Sequence, residues 1–235
     1  MVTAPSFPTG TVTFLFTDVE GSTRLWAADE TAMAASLRVH DDILRTAIEG
    51  SGGYVFTTAG DSFAAAFSRA SDGAEAAITA QTGLAAADWP GPELKVRMGL
   101  HVGEADERNG DYFGSTVSTA ARVEAAGHGG QILMTEPVRA MAGVDTVDLG
   151  LHRLRDVEVP LELFQLGAGS FPPLRVVDPW LHNLPPSRTR LIGRDDDVAE
   201  VRRLLAADRL VTLLAVGGSG KTRLAVHRGE VVPEG

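Results

Sequence analysis

Val12, Phe14 and Phe16 alternate with other residues through TVTFLFTD (residues 11–18), and this period of two predicts a strand with an apolar face. The period then changes. Leu25, Trp26, Met33, Leu37, Ile43, Leu44, Ala47 and Ile48 recur at helical spacing, which predicts one long helix opened by Gly21-Ser22-Thr23, with Ser22 or Thr23 as its N-cap, and stopped by Gly50 to Gly53. Residues 53–58 and 62–67 read as two strands of a hairpin turning at Ala59-Gly60-Asp61. An Ala-rich stretch over 71–87, with Ile78 and Leu84, predicts a second helix, ended by Trp89-Pro90-Gly91-Pro92. Leu94–Val102 is a further strand, Glu104–Tyr112 a polar loop, and Ser115–Ala126 a third helix closed by Gly127 and Gly129-Gly130. A short strand at Gln131–Met134 and a terminal strand or hairpin over Val147–Leu166 complete the run.

In order these elements read β-α-β-β-α-β with additions, an α+β, ferredoxin-like plan in which helices cover one face of an antiparallel sheet. Residues 1–167 hold it. The next stretch, AGSFPPLRVVDPWLHNLPPSRTR (residues 168–190), is rich in Pro and Gly and reads as a linker. Residues 191–235 then offer a short helix over Asp195–Ala206, an apolar strand over Leu210–Val216 and the sequence GGSGKT at Gly217–Thr222.

Composition narrows the classes. The chain has 235 residues, 44% of them apolar, enough for one core of ordinary domain size with length to spare. A net charge of −10 argues against a broad nucleic-acid surface and against attachment to anionic lipid. The absence of Cys excludes disulfides and thiolate metal sites. The N-terminus MVTAPSFPTG lacks the basic and apolar regions of a signal peptide, and no apolar run nears the roughly 18 residues of a membrane span, so the expectation is a soluble cytoplasmic protein. The six His residues show no metal-ligand spacing, and His101 reads as a core or edge residue of its strand.

The chemistry lies elsewhere. Asp18 and Asp61 each stand where a β-rich run gives way to a Gly-containing bend, which projects a carboxylate from a rigid element. Brought together, two such groups are hard oxygen ligands for Mg²⁺ or Mn²⁺. Asp18-x-x-Gly21-Ser22 also places backbone N–H groups at a helix start beside that carboxylate, where a triphosphate can be cradled. Farther on, Ser118 and Arg122 are four residues apart and emerge on one helical face.

FTDVEGST, GDSF, RMGLHVGE and GDYFGSTVSTAAR together resemble the successive motifs of the class III adenylate/guanylate cyclase catalytic domain, in its bacterial subgroup, over about residues 8–166. The resemblance implies that Asp18, Asp61 and the backbone carbonyl of Val19 hold a pair of Mg²⁺ or Mn²⁺ ions, and that Gly21, Ser22 and Thr23 cradle the triphosphate of ATP or GTP. It implies that Arg122 stabilises charge on the α-phosphate, that Asp111 accepts from the purine amine, and that Arg155 falls near a position contacting the terminal phosphates. It also implies a head-to-tail homodimer with two shared active sites, the aspartates of each coming from one chain and the arginine from the other. Two positions depart from the family. Thr57 stands where the family has its adenine-selecting lysine, and Ser118 where it has a ribose-orienting asparagine. The expectation is therefore a cyclase, adenylate by preference, of reduced turnover; the alternative is a degenerate domain that binds nucleotide or dimerises in a signalling or transcriptional regulator.

Gly217, Gly220, Lys221 and Thr222 resemble a Walker A loop whose first glycine is replaced by Ala215, and LIGRDDDVAEVRRLL before it resembles the entry to a signalling ATPase module. The chain ends 13 residues after Thr222, so residues 191–235 read as the truncated start of such a domain with a vestigial loop.

Overall fold

The computed structural model describes residues 7–176, 194–207, 211–214, 216, 220, 221 and 224. The elements are β1 (Thr11–Val19), α1 (Ser22–Ala28), α2 (Glu30–Gly50), β2 (Tyr54–Ala59), β3 (Ser62–Phe67), α3 (Ala70–Ala86), β4 (Val96–Glu104), β5 (Asp106–Arg108), β6 (Asp111–Phe113), α4 (Ser115–Ala125), β7 (Ile132–Thr135), α5 (Glu136–Ala142), β8 (Thr146–His152), β9 (Leu161–Leu166) and α6 (Asp195–Ala207). The chain divides into two compact units, Met1–Val177 and Asp178–Gly235.

In the first unit seven strands form one sheet in the order β2-β3-β1-β4-β7-β9-β8. Its first four strands with α2 and α3 reproduce the expected ferredoxin-like plan, and all their pairings are antiparallel. The β4–β7 pairing is parallel and extends the sheet. β1 is an interior strand with apolar residues on both faces. Leu15 and Val19 join a core with Met33 and Leu44 of α2, Ala74 and Ala77 of α3 and Val138 of α5. Val12 and Phe14 point the other way, into a cluster with Tyr112 and Ala120.

That second cluster corrects the one-sided arrangement. α4 covers the opposite face of the sheet, burying Ala120, Val123 and Ala126. Alternation along β4 explains how it gets there. Val96, Met98, Leu100 and Val102 face the main core, while Arg97, Gly99, His101 and Gly103 form the other side. The glycines leave a flat trough for the helix. A Cβ on Gly99 would lie 2.2 Å from the backbone nitrogen of Glu124, and one on Gly103 would lie 2.9 Å from the Thr116 side chain. Gly99→Ala therefore pushes against helix backbone rather than a movable side chain. We expect it to cost about 3 kcal/mol or more, a fall in Tm on the order of 10 °C by thermal melting. A variant that melts with the native chain would mean that α4 is not seated there.

Several boundaries also differ from the hydrophobic pattern. The single long helix is broken at Asp29, whose extended backbone ends α1 and whose carboxylate caps α2 by accepting from the Ala32 N–H at 2.9 Å. Neither Ser22 nor Thr23 is the N-cap of α1; Gly21 takes that place with φ +70 and without a side-chain cap. The expected polar loop is a β5–β6 hairpin, turned by Asn109 and Gly110 with φ of 57 and 83. Asn-Gly is the residue pair that such a turn favours. α5 had no counterpart in the hydrophobic pattern.

The described residues 167–176 after β9 belong to the first unit. Leu174 and Val176 pack on the cluster of Val123 and Leu133, and the Arg175 N–H donates to the Ala126 carbonyl at 2.8 Å. In the second unit α6 forms where the sequence predicts a helix. The strand expected over 210–216 is not seen at the described positions 211–214 and 216, which have no regular structure. No described helix is long and apolar enough to cross a membrane.

Candidate active site

Asp18 is the penultimate residue of β1 and stands opposite Arg97 of β4 in the ladder. Its Oδ1 accepts from the Ser62 hydroxyl at 2.9 Å, and its Oδ2 accepts from Arg97 Nη2 at 2.5 Å and Nε at 3.1 Å. Asp61 lies in the two-residue turn between β2 and β3, where Gly60 takes φ +64. The Asp61 Oδ2 reaches back across the sheet to accept from the Val19 N–H at 3.3 Å. The three expected ligand residues, Asp18, Val19 and Asp61, are thus gathered at one end of the sheet.

Sequence reasoning missed the two groups beneath them. Arg97 Nε lies 2.6 Å from Oε1 of Glu124, a carboxylate of α4 that is 8% exposed. The Nε hydrogen is aimed at Asp18, however, and among the described residues this Oε1 accepts no hydrogen bond. Burial pushes the Glu124 carboxyl up to about 7; Arg97 opposes the shift, while the charges of Asp18 and Asp61 add to it. Burial also works against the Arg97 charge, but Glu124 and Asp18 outweigh it and hold the guanidinium above its ordinary range. The only advance signal was negative: a lone Arg among the glycines of β4.

The helical residues form a second group. Ser118 and Arg122 line a cavity of about 510 Å³ together with His101, Thr119, Asp156 and Glu158. Arg122 Nη2 donates to Asp156 Oδ2 at 2.7 Å, and Asp156 holds a left-handed backbone with φ +60. Ser118 Oγ donates weakly to the Gly114 carbonyl at 3.4 Å. His101 Nδ1 is 2.9 Å from Thr135 Oγ1, and burial pulls the imidazole down to about 4, so it is neutral at physiological pH. Neither Asp18 nor Asp61 lines this cavity.

The remaining candidates are dispersed. Thr57 is exposed, next to a bulge in β2, and Asp111 begins β6, its Oδ1 accepting from the Tyr112 N–H at 2.8 Å. These strands approach each other through Phe56 and Tyr112, whose rings pack edge to face at 5.1 Å. Gly21 and Thr23 line a separate concavity of about 550 Å³ with Glu20, Arg24, Lys95 and Arg175, and Ser22 is the first residue of α1. Arg155 is 77% exposed and lies 3.7 Å from Asp156. Lys221 Nζ donates to the Val216 carbonyl at 2.9 Å and Gly220 has φ +81, whereas Gly217 and Thr222 lie outside the described residues.

The residues present fit a hard divalent ion held jointly with a ligand. Two carboxylates and a carbonyl are the oxygen donors that Mg²⁺ prefers, and the guanidinium on Asp18 shows that the site stabilises a cation. Among the described residues no cluster of three or more His, Cys, Asp or Glu could hold an ion unaided, so further oxygens must come from elsewhere, as a triphosphate provides.

The fold is thus a ferredoxin-like sheet with Asp18 and Asp61 at one end and Arg122 on the covering helix. The model of the adenylate and guanylate cyclase catalytic domain matches residues 4–160, and the chain belongs to that family. It is 38% identical over 201 residues to an uncharacterized protein of Mycobacterium tuberculosis, covering 80% of this chain and 68% of that one. With a receptor-type adenylate cyclase of Trypanosoma congolense the identity is 32% over 216 residues, covering 71% of this chain and 29% of the relative. An adenylate cyclase structure from Trypanosoma brucei, solved in the monomeric state, superimposes with a TM-score of 0.69 at 29% identity, covering 75% of this chain and 99% of that one.

Proposed function

We propose that the chain is a nucleotidyl cyclase that converts a purine nucleoside triphosphate, ATP by preference, to the 3′,5′-cyclic monophosphate and pyrophosphate, working as a homodimer with sites shared between chains. The observation that carries this reading is the convergence of Asp18, Asp61 and Val19, with Asp61 bonded to the Val19 amide. Mg²⁺ or Mn²⁺ held by these residues would neutralise phosphate charge and favour ionisation of the ribose hydroxyl. In the reaction the 3′-oxygen bonds to the α-phosphorus, the bond to the β-phosphate oxygen breaks, and the hydroxyl proton leaves to solvent.

The chain's own residues bind and position. Amides of Gly21, Ser22 and Thr23 hold the phosphates, and Arg122 of the other protomer leaves Asp156 to meet charge growing on the α-phosphate. Thr57 and Asp111 flank the base, with Ser118 near the ribose. Threonine brings no charge to the purine, and losing a charged hydrogen bond costs roughly 1.5–3 kcal/mol. A missing orienting group in the transition state costs ~10²–10³ in rate, so turnover is low.

The deciding experiment is product detection with ATP or GTP and Mn²⁺. Cyclic nucleotide is expected from the native chain and not from Asp61→Ala. Equal product from both would refute the reading, and nucleotide binding without product would leave the domain a binding module.

A further inference from the structure

Among the described residues Arg97 is the one cation on Asp18, and it stands between two carboxylates. Its Nη2 and Nε both bond Asp18 Oδ2, while Nε also lies 2.6 Å from Glu124 Oε1 without donating to it. Both acceptors are held by other parts of the fold. Glu124 is fixed from behind, because its backbone nitrogen sits in the space over Gly99 where a Cβ would approach to 2.2 Å. Asp18 is held at Oδ1 by Ser62. The Arg97 side chain, 20% exposed, is the group in reach of both carboxylates. A buried carboxylate oxygen with a cation beside it and no aligned donor is an unfinished ion pair.

We propose that Arg97 is the resident counter-cation of the metal site: it occupies Asp18 in the ion-free chain and passes to Glu124 when a divalent cation takes Asp18. Glu124 is then a positioning residue, acting through Arg97 to set how readily the site loads. The exchange replaces two hydrogen bonds to Asp18 with an aligned pair to Glu124, so no buried charge is stranded at either stage. The inference rests on the metal-site reading above.

Titration of the 235-residue chain with Mn²⁺ alone, followed by electron paramagnetic resonance, tests it without turnover. Arg97→Gln removes the competing cation and is expected to tighten Mn²⁺ binding roughly tenfold, whereas Glu124→Gln strands Arg97 on Asp18 and weakens binding by about the same factor. The double variant is expected to bind like Arg97→Gln, since Glu124 acts only through the guanidinium. Simple loss of negative charge would instead weaken binding again in the double variant, and that result overturns the exchange. So does Arg97→Gln binding no tighter than the native chain. In the native chain ¹⁵N NMR of the Arg97 Nε–H follows the same event, and a resonance unmoved while Mg²⁺ binds also overturns it. Native Mn²⁺ binding that survives Asp18→Ala refutes the metal site itself, a failure distinct from that of the exchange.

Discussion

Mixing Asp18→Ala chains with Arg122→Ala chains is expected to restore cyclic-nucleotide production that neither variant has alone. On the proposed reading neither variant alone should leave measurable turnover, since loss of a charge-stabilising arginine in phosphoryl transfer costs on the order of 10³–10⁵ in rate. The separation of the two groups makes complementation possible. Asp18 is bonded to Ser62 and Arg97 at the end of β1, while Arg122 opens into the cavity it shares with Asp156 and His101. In an isologous dimer a mixed pair has one site lacking both groups and one complete. Random pairing of equal amounts makes half the dimers mixed, so about a quarter of native activity should return. A mixture as silent as its components would place both groups in one chain's site.

The second large effect is a gain. Thr57→Lys combined with Ser118→Asn is expected to raise turnover with ATP by ~10² or more, as a charged donor at the base and an orienting amide at the ribose are supplied together. Both positions can accept longer side chains. Thr57 is exposed beside the β2 bulge, and Ser118 is exposed on α4 with only a 3.4 Å bond to Gly114 to give up. Steady-state rates for the two singles and the double variant decide it. The effects need not add within one site. A double variant no faster than the native chain would locate the limitation elsewhere, with the Arg122–Asp156 pair the next place to examine.

The legible parts of this molecule are those written in short range. Alternation in TVTFLFTD and the Gly-Asp turn after Tyr54–Ala59 are local, and so Asp18 and Asp61 could be placed on strand ends before any fold was known. That Arg122 and Ser118 share one helical face followed from spacing, while their roles came from the family resemblance. The two-helix break was also local, since Asp29 is a capping residue, but the apolar stripe runs through it and masks it. The β5–β6 hairpin was masked by its polarity, although Asn109-Gly110 marks the turn.

Arg97 and Glu124 were of another kind. A strand face reading Arg97, Gly99, His101, Gly103 resembles a surface exposed to water, because neither charge nor glycine announces burial. It becomes interior only when α4, more than a dozen residues farther along the chain, settles into the trough that the glycines leave. The sequence alone determined the α+β order of elements, the strand-end aspartates and the helical arginine, since each depends on a period or a turn within a few residues. Only the tertiary structure decided that Asp61 meets Val19, that Arg122 rests on Asp156, and that a guanidinium lies between Asp18 and a buried carboxylate. Those contacts join residues tens of positions apart, and burial, which sets the strength of charges, is a property of the packed layers and not of any segment.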